Sequence, residues 1–187
     1  CGERILLPTI RIPTLIHTRS ANAKWLNEIS HRHPLWIHPE DAEKLGIEEE
    51  GLVRVTTRIG HFVIAAWRKE RIRPGVVAAS HHLGRWRLEE DQARSWGAGK
   101  ASITSQPGTD GGTIWKLSRE HGNRPYDSTD PDTSRIWWND TGVHQNATFC
   151  VQPDPISGMQ CWHQRVRVTP AQPGDEYGDV VVDTAKS

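Results

Sequence analysis

Between Pro34 and Ser80 the chain has room for one short helix, and strands surround it. In PLWIHPEDAEKLGI (34–47), Pro39 suits a first helical position, and Glu40 and Asp41 fall in the first turn, where the helix dipole favours acids. Gly46 stands where a left-handed residue ends a helix. Leu35 to Ile37 reads as a short strand before it. After it, EEEGLVRVTTRIGHFVIAAW (48–67) reads as a β-hairpin. Val53 and Val55 alternate with Arg54 and Thr56, Ile59-Gly60 makes the turn, and Phe62 to Trp67 returns. RIRPGVVAAS (71–80) supplies a further strand, opened by Pro74-Gly75.

The flanks extend this pattern. An apolar segment from Ile10 to His17, interrupted by Pro13, leads into the polar loop HTRSANAKW (17–25). A second polar loop, HHLGRWR (81–87), also follows a strand directly. Residues 88–136 are rich in Gly, Ser, Thr, Asp and Pro with poor periodicity, and read as a long insertion partly ordered by Trp96, Trp115 and Tyr126. Gln164 to Thr169 forms a closing strand, and a polar tail from Pro170 ends in a short VVVDT strand or arm (180–184). There is no internal repeat. Many short strands, one clear helix and polar loops at strand ends favour a mainly β fold, a closed β-barrel, over a sandwich or a layered α/β sheet. The 187 residues fit a single domain.

Composition excludes some partners. Lysine plus arginine and aspartate plus glutamate balance at 23 each. A broad nucleic-acid surface needs clustered positive charge, and none is evident. No apolar run approaches the roughly 20 residues of a membrane span. The chain opens on Cys1 rather than Met, as expected of a processed product or an excised piece of a longer protein, so its compartment is left open. Three cysteines do not make a disulfide scaffold, and Cys150 and Cys161 are as readily free as paired. Nine tryptophans and ten histidines, against two Phe and two Tyr, are the anomaly. Tryptophan pairs a large apolar face with one N–H donor, which suits a ligand site or partner surface as well as a core.

Several constellations carry chemistry. The loops 17–25 and 81–87 together offer His17, Thr18, Arg19, Ser20, Asn22, Lys24, His81, His82 and Arg85. In a small barrel they can meet at one end, where cationic, hydroxyl and amide groups would bind phosphate oxygens. Solvated loops are the plain alternative. His31, His33 and His38, and the pair His81-His82, match no zinc spacing, and adjacent histidines in a strand would point to opposite faces. Ser157 lies in DPISG rather than a nucleophile elbow, and Asp154 reads as a turn residue. The densest mixture is WWNDTGVHQNATFCVQPDPISG (137–158), where two tryptophans precede a run of imidazole and amide side chains.

In order, the Thr-Arg loop, the helix opened by HPEDAEKLGI, the hairpin after Gly51, RIRPGVV, Asn-x-Thr with DPISG eight residues beyond Asn146, and the closing RVRV strand resemble one family. The chain is similar to the C-terminal dinucleotide-binding domain of the molybdopterin oxidoreductases, the dimethyl-sulfoxide reductase and formate dehydrogenase superfamily. The resemblance covers roughly residues 10–87 and 137–169. It implies a double-psi β-barrel that caps a bis(molybdopterin guanine dinucleotide) cofactor carrying Mo or W, whose metal ligand lies outside this chain. It also leaves room for an iron–sulfur cluster in an upstream part.

Carried over by position, the cofactor contacts are His17, Thr18, Arg19, Ser20 and Asn22 in the first loop and His81 and His82 in the second. Asn146 matches the family's asparagine, and His163 and Gln164 precede the last strand. Trp137 or Trp138 would stack on a ring. The implied partners are the remaining domains of the catalytic subunit and an electron-transfer subunit, in a bacterial or archaeal cytoplasm or periplasm. The chain departs from the family where His-Thr-Arg replaces the common Thr-Gly-Arg, and where the insertion separates the second loop from Trp137. Substrate stays open among formate, sulfur oxyanions, N- or S-oxides, nitrate and arsenic compounds. A reading from another class is a stand-alone double-psi barrel for protein recognition, with the tryptophans and the insertion as its partner surface.

Overall fold

The computed structural model describes residues 3–17, 23–29, 33–84, 86–88, 99–119, 123–125, 137–139 and 142–186. Its strands in chain order are β1 (Arg4–Ile10), β2 (Pro34–Ile37), β3 (Leu52–Thr56), β4 (Gly60–Arg68), β5 (Val76–Ser80), β6 (Trp86–Leu88), β7 (Gly99–Pro107), β8 (Thr113–Arg119), β9 (Asn123–Pro125), β10 (Trp137–Asn139), β11 (Gln164–Pro170) and β12 (Val180–Asp183). Two short helices, α1 (Lys24–Ile29) and α2 (Pro39–Leu45), complete them.

Six strands close on themselves. The order is β2-β5-β1-β11-β3-β4, and β4 pairs back to β2. The β1–β5 and β2–β4 pairs are parallel and the others antiparallel. This is the closed, mainly β barrel expected, with the double-psi arrangement. Besides β3, strand β4 serves two further neighbours: Ala65 to Arg68 pair with β2, and Gly60 to Phe62 pair with β12. A Cβ on Gly60 would lie 2.0 Å from the Val181 carbonyl oxygen, so only glycine lets β12 approach. Beyond β12 the sheet continues through β8, β7 and β6.

Alternation decides which side chains fill the barrel. Leu6, Val53, Val55, Phe62, Ile64, Val77, Val166 and Val168 point inward and are fully or almost fully buried. Each such side chain contributes about 1.5–3 kcal/mol relative to exposure. Helix α2 forms as its sequence predicts. Pro39 occupies the first turn, Gly46 adopts the left-handed conformation, and the Ile47 N–H reaches the Ala42 carbonyl at 2.9 Å. His38 caps it, its Nδ1 accepting from Glu40 N at 3.3 Å.

Asp41 does more than complement the dipole. Its buried carboxylate accepts from Gly75 N at 2.7 Å and from Arg4 Nε at 3.3 Å, tying α2 to β1 and to the turn before β5. Burial alone would raise its pKa, but those bonds and the Arg4 charge hold it below the usual carboxylate range. Asp41→Ala leaves the Gly75 N–H unmet, and should lower unfolding free energy by about 3 kcal/mol in urea titrations. A loss under about 1 kcal/mol would contradict this role.

Three expectations need correction. The first strand is Arg4–Ile10, not the segment from Ile10 to His17, which instead turns at Pro13 and Thr14. The strand tolerates Pro8 because its pairing with β5 shifts register between Leu7 and Ile10. The reading of 88–136 as aperiodic missed the β7–β8 hairpin, on which Trp115 lies exposed; Trp96 and Tyr126 lie outside the described residues. The β3–β4 turn falls at Thr57 to Ile59, with Gly60 already in β4. Cys150 is buried and Cys161 exposed, and both are free thiols.

Candidate functional site

Because β1 and β5 run parallel, with Ile10 beside Ser80, the chain leaves both strands at the same barrel end. Past β1 it folds back. The Leu15 N–H bonds the Ile12 carbonyl at 3.0 Å, and Ile12 and Leu15 pack on Leu83 in a small apolar cluster. That packing delivers His17 to His81 and His82, with ring centroids 5.1 and 6.0 Å away. His81 and His82 are stacked at 4.6 Å. Adjacent histidines in a strand would diverge, but these two sit just past the end of β5, where the chain is free to turn. His17 holds a φ of 46°, a left-handed conformation uncommon for a residue with a side chain.

Ser80 organises the next layer. Its buried hydroxyl lies 2.5 Å from His82 Nδ1, and its carbonyl accepts from Gln145 Nε2 at 3.0 Å. Gln145 opens a 3-10 turn, Gln145–Thr148, in which positions three apart share a face. Gln145 and Thr148 are therefore buried while Asn146 and Ala147 are exposed. Thr148 Oγ donates to the Gln145 carbonyl at 2.8 Å, and Thr57 Oγ donates to the Thr148 carbonyl at 2.6 Å. His33, fully buried, accepts from Val143 N at 3.1 Å. Backbone packs on backbone here. A Cβ on Gly142 would lie 1.8 Å from Gly84 N, and Gly84 has a φ of +111°.

Four buried polar atoms at this end have no hydrogen-bond partner among the described residues: His82 Nε2, His81 Nδ1, Gln145 Oε1 and, in the turn past β1, Thr14 Oγ1. If Ser80 donates its hydroxyl proton to His82 Nδ1, the one proton of a neutral imidazole sits on Nε2, a buried donor. Burial pushes His82 down to about 4, and the neighbouring His81, His17 and Arg11 push the same way. Burial, then His17 and Arg11, lower His81 too. Near neutral pH the two rings stay uncharged. The two rings themselves offer hydrogen-bond donors and acceptors rather than charge, with the Arg11 cation nearby.

The structure thus brings together His17, His81 and His82. Thr18, Arg19, Ser20 and Asn22 lie outside the described residues, as do the side chains of Trp137 and Trp138. Asn146 stands exposed one residue from buried Gln145. His163 and Gln164 border a separate groove of about 650 Å³ on the β1–β11 side. Gln164 is buried there, its Nε2 making only long 3.4 Å contacts with Gln152 Oε1 and the Cys161 carbonyl. Sequence reading missed Ser80 and Gln145. Ser80 was visible as the polar end of a buried strand; Gln145 was not, since the phase of the 3-10 turn decides which amide turns inward. Among the described residues no set of three His, Cys, Asp or Glu is placed to hold a metal ion.

Over residues 5–114 the sequence matches the family described as molydopterin dinucleotide binding domain. The chain belongs to that family. The matched span includes both histidine-bearing loops and stops short of the Gln145 turn. Among proteins of known role, the molybdopterin-containing subunit (ArrA) of the arsenate respiratory reductase of Chrysiogenes arsenatis is 34% identical over 87 residues, 42% of this chain and 10% of that protein. The catalytic chain of a putative dimethyl sulfoxide reductase of Halobacterium salinarum is 42% identical over 62 residues, covering 33% of this chain and 7% of its own length. A tetrathionate reductase chain of Archaeoglobus fulgidus is 32% identical over 74 residues, 40% of this chain and 6% of that protein. The matched segment thus spans a tenth or less of each relative. Among solved structures, acetylene hydratase from Pelobacter acetylenicus superposes with a TM-score of 0.54 at 14% identity, covering 90% of this chain and 18% of that one. That likeness establishes shared fold only.

Proposed function

We propose that this barrel is the C-terminal module that binds and caps a bis(molybdopterin guanine dinucleotide) cofactor in the catalytic subunit of a Mo or W oxidoreductase. The observation that carries the reading is a group of buried atoms, His82 Nε2, His81 Nδ1 and Gln145 Oε1, unpartnered among the described residues, gathered around Ser80 where His17 meets the second loop of a molydopterin dinucleotide binding domain. Buried polar atoms are normally satisfied, and a ligand is one way to satisfy them.

The residues fit a pterin or guanine. Such heterocycles present paired donors and acceptors along one edge, and His82 Nε2–H with Gln145 Oε1 supplies one of each. Ser80 orients both. Thr18, Arg19, Ser20 and Asn22 on the first loop would contact phosphate oxygens, and Asn146 would reach the ligand from its exposed position beside Gln145. When bound, the cofactor supplies the redox chemistry, exchanging an oxygen atom or a hydride equivalent with substrate at its metal. The barrel's own part is to hold, orient and shield that group from water.

The test uses the whole enzyme that carries this chain. His82→Ala and Gln145→Ala should each lower retained pterin per protein by about tenfold, read as pterin fluorescence after oxidative release. Asn146→Ala should lower it as well. Unchanged pterin in His82→Ala and Gln145→Ala, with the barrel still folded, would remove this end from the cofactor site.

A further inference from the structure

Past β8 the sheet thins out. Strand β6 covers only the start of β7, with Trp86 beside Gly99 and Leu88 beside Ala101. On its other side β7 pairs with β8 from Ala101 to Pro107 without a shift of register. From Ser102 to Gln106 the outer edge of β7 has no backbone partner among the described residues, and all five residues are exposed. Pro107 closes this window, because proline has no N–H to donate.

An open edge is a template for one more strand, and folded proteins blunt theirs with charge, proline, a bulge or brevity. Ser102 to Gln106 carries no charge, no proline and no bulge. Nothing in it repels a copy of itself. The chain's acidic and basic residues balance at 23 each, so two copies approach without net repulsion. Lys116, on β8 opposite Thr104, is already committed to Asp179 at 2.8 Å.

We infer that β7 is an association edge at which two copies of this chain join their sheets, antiparallel, about a two-fold axis. Symmetry fixes the register. An axis perpendicular to the sheet keeps paired residues on the same face, so it passes beside one residue rather than between two. Filling the window in both copies makes that residue its centre, Thr104. Thr104 then faces its own counterpart, and Ile103 faces Ser105 of the second copy. The same register covers apolar surface. Ile103 and Trp115 are 39% and 44% exposed, on the face that continues through Leu117 to buried Val180. Ser105 lies opposite Trp115 within each copy, and its small side chain leaves room for that ring to lean onto Ile103 of the other. On the opposite face the two Lys116 stand three strand spacings apart, about 14 Å, beyond the roughly 8–10 Å over which salt screens charge.

Sedimentation equilibrium of the intact protein that carries this chain tests it. The native protein should pass from monomer to dimer as its concentration rises. Thr104→Lys sets two cations face to face on the axis and should weaken the dimer about tenfold, and Thr104→Glu should do the same. Mixed in equal amounts, the two variants should recover association, because only the unlike pair places opposite charges there. Thr9→Lys, exposed on β1 away from the hairpin, should change it less than about twofold. Amide exchange gives a second readout: the outward-pointing N–H groups between Ser102 and Gln106 should exchange fast in the monomer and slowly in the dimer. A monomer at every concentration, a Thr104→Lys dimer as tight as the native one, or a mixture no tighter than either variant alone would each overturn the inference. So would slow exchange of those amides in the monomer, which would assign the edge to another segment of the same polypeptide. Neither readout involves pterin, so the outcome is independent of the cofactor proposal.

Discussion

Alanine at Gly142 should cost the chain about 4 kcal/mol or more of stability. The added Cβ would lie 1.8 Å from Gly84 N and 2.2 Å from the Leu83 carbonyl carbon, and both obstacles are backbone. No side-chain rotation relieves them. Gly84, with its φ of +111°, must itself stay glycine to present that backbone. The same substitution should also empty the site, because this crossing holds the Gln145 turn against the loop that carries His81 and His82. Gly158→Ala is the control. Gly158 is left-handed at +70° but nothing lies within 4 Å of its Cβ, so only about 1 kcal/mol is expected. Urea midpoints of the two variants decide the matter. Equal losses would show that the 84–142 crossing is not the tight contact described.

Acid should weaken the cofactor-free barrel well before its carboxylates titrate. His82 is held near 4 in the folded chain against an ordinary 6.5, through burial first and then His81, His17 and Arg11. The unfolded chain therefore binds a proton below pH 6.5 that the native chain refuses until about pH 4. Stability falls as pH falls across that window, by about 2–3 kcal/mol for His82, and does not change on this account above it. His81 shifts in the same direction and adds to the loss. Asp41 and Asp175, both held below 3.8, contribute at the lower edge: their stabilisation is present above 3.8 and lost as pH drops through their folded values. Unfolding free energies between pH 7 and 4.5 should slope downward in the native sequence, and His82→Gln should flatten the slope. An unchanged slope in His82→Gln would mean that His82 is not the buried neutral group described.

Where local chemistry determined local structure, the sequence was readable. Pro39, the acids after it and Gly46 mark both ends of α2 in the sequence alone, although packing and the Asp41 bonds hold it in place. The alternation around Val53 and Val55 defines β3, and its partner β4 follows from loop length. The β7–β8 hairpin left no such trace. Residues 102–107 of β7 are all exposed, so no apolar alternation marks it. It is held by backbone pairing to β8, which in turn pairs with β12 from the far end of the chain. β1 lies ahead of the segment read from the sequence; Pro8 interrupts it, and the register shift opposite β5 is what admits a proline there.

The site was legible to the same degree. Two polar loops after strands were visible, and parallel β1 and β5 bring His17 to His81 and His82 as a small barrel allows. Gln145 was hidden by the phase of its turn, whereas Ser80 stood in plain view as the polar end of a buried strand and was passed over. His163 and Gln164 looked like neighbours of the same site in sequence order. The structure places them on a groove near the other end of β1, because β11 pairs antiparallel to β1 through Leu6 and Gln164.

A pterin cofactor held at the histidine end of the barrel is the central claim. The most direct measurement is pterin fluorescence after oxidative release, with Mo and W analysis, on the intact enzyme containing this chain, purified under anaerobic conditions. The expected result is a released pterin, with metal, that falls about tenfold in His82→Ala. An intact native enzyme with no pterin and neither metal would contradict it.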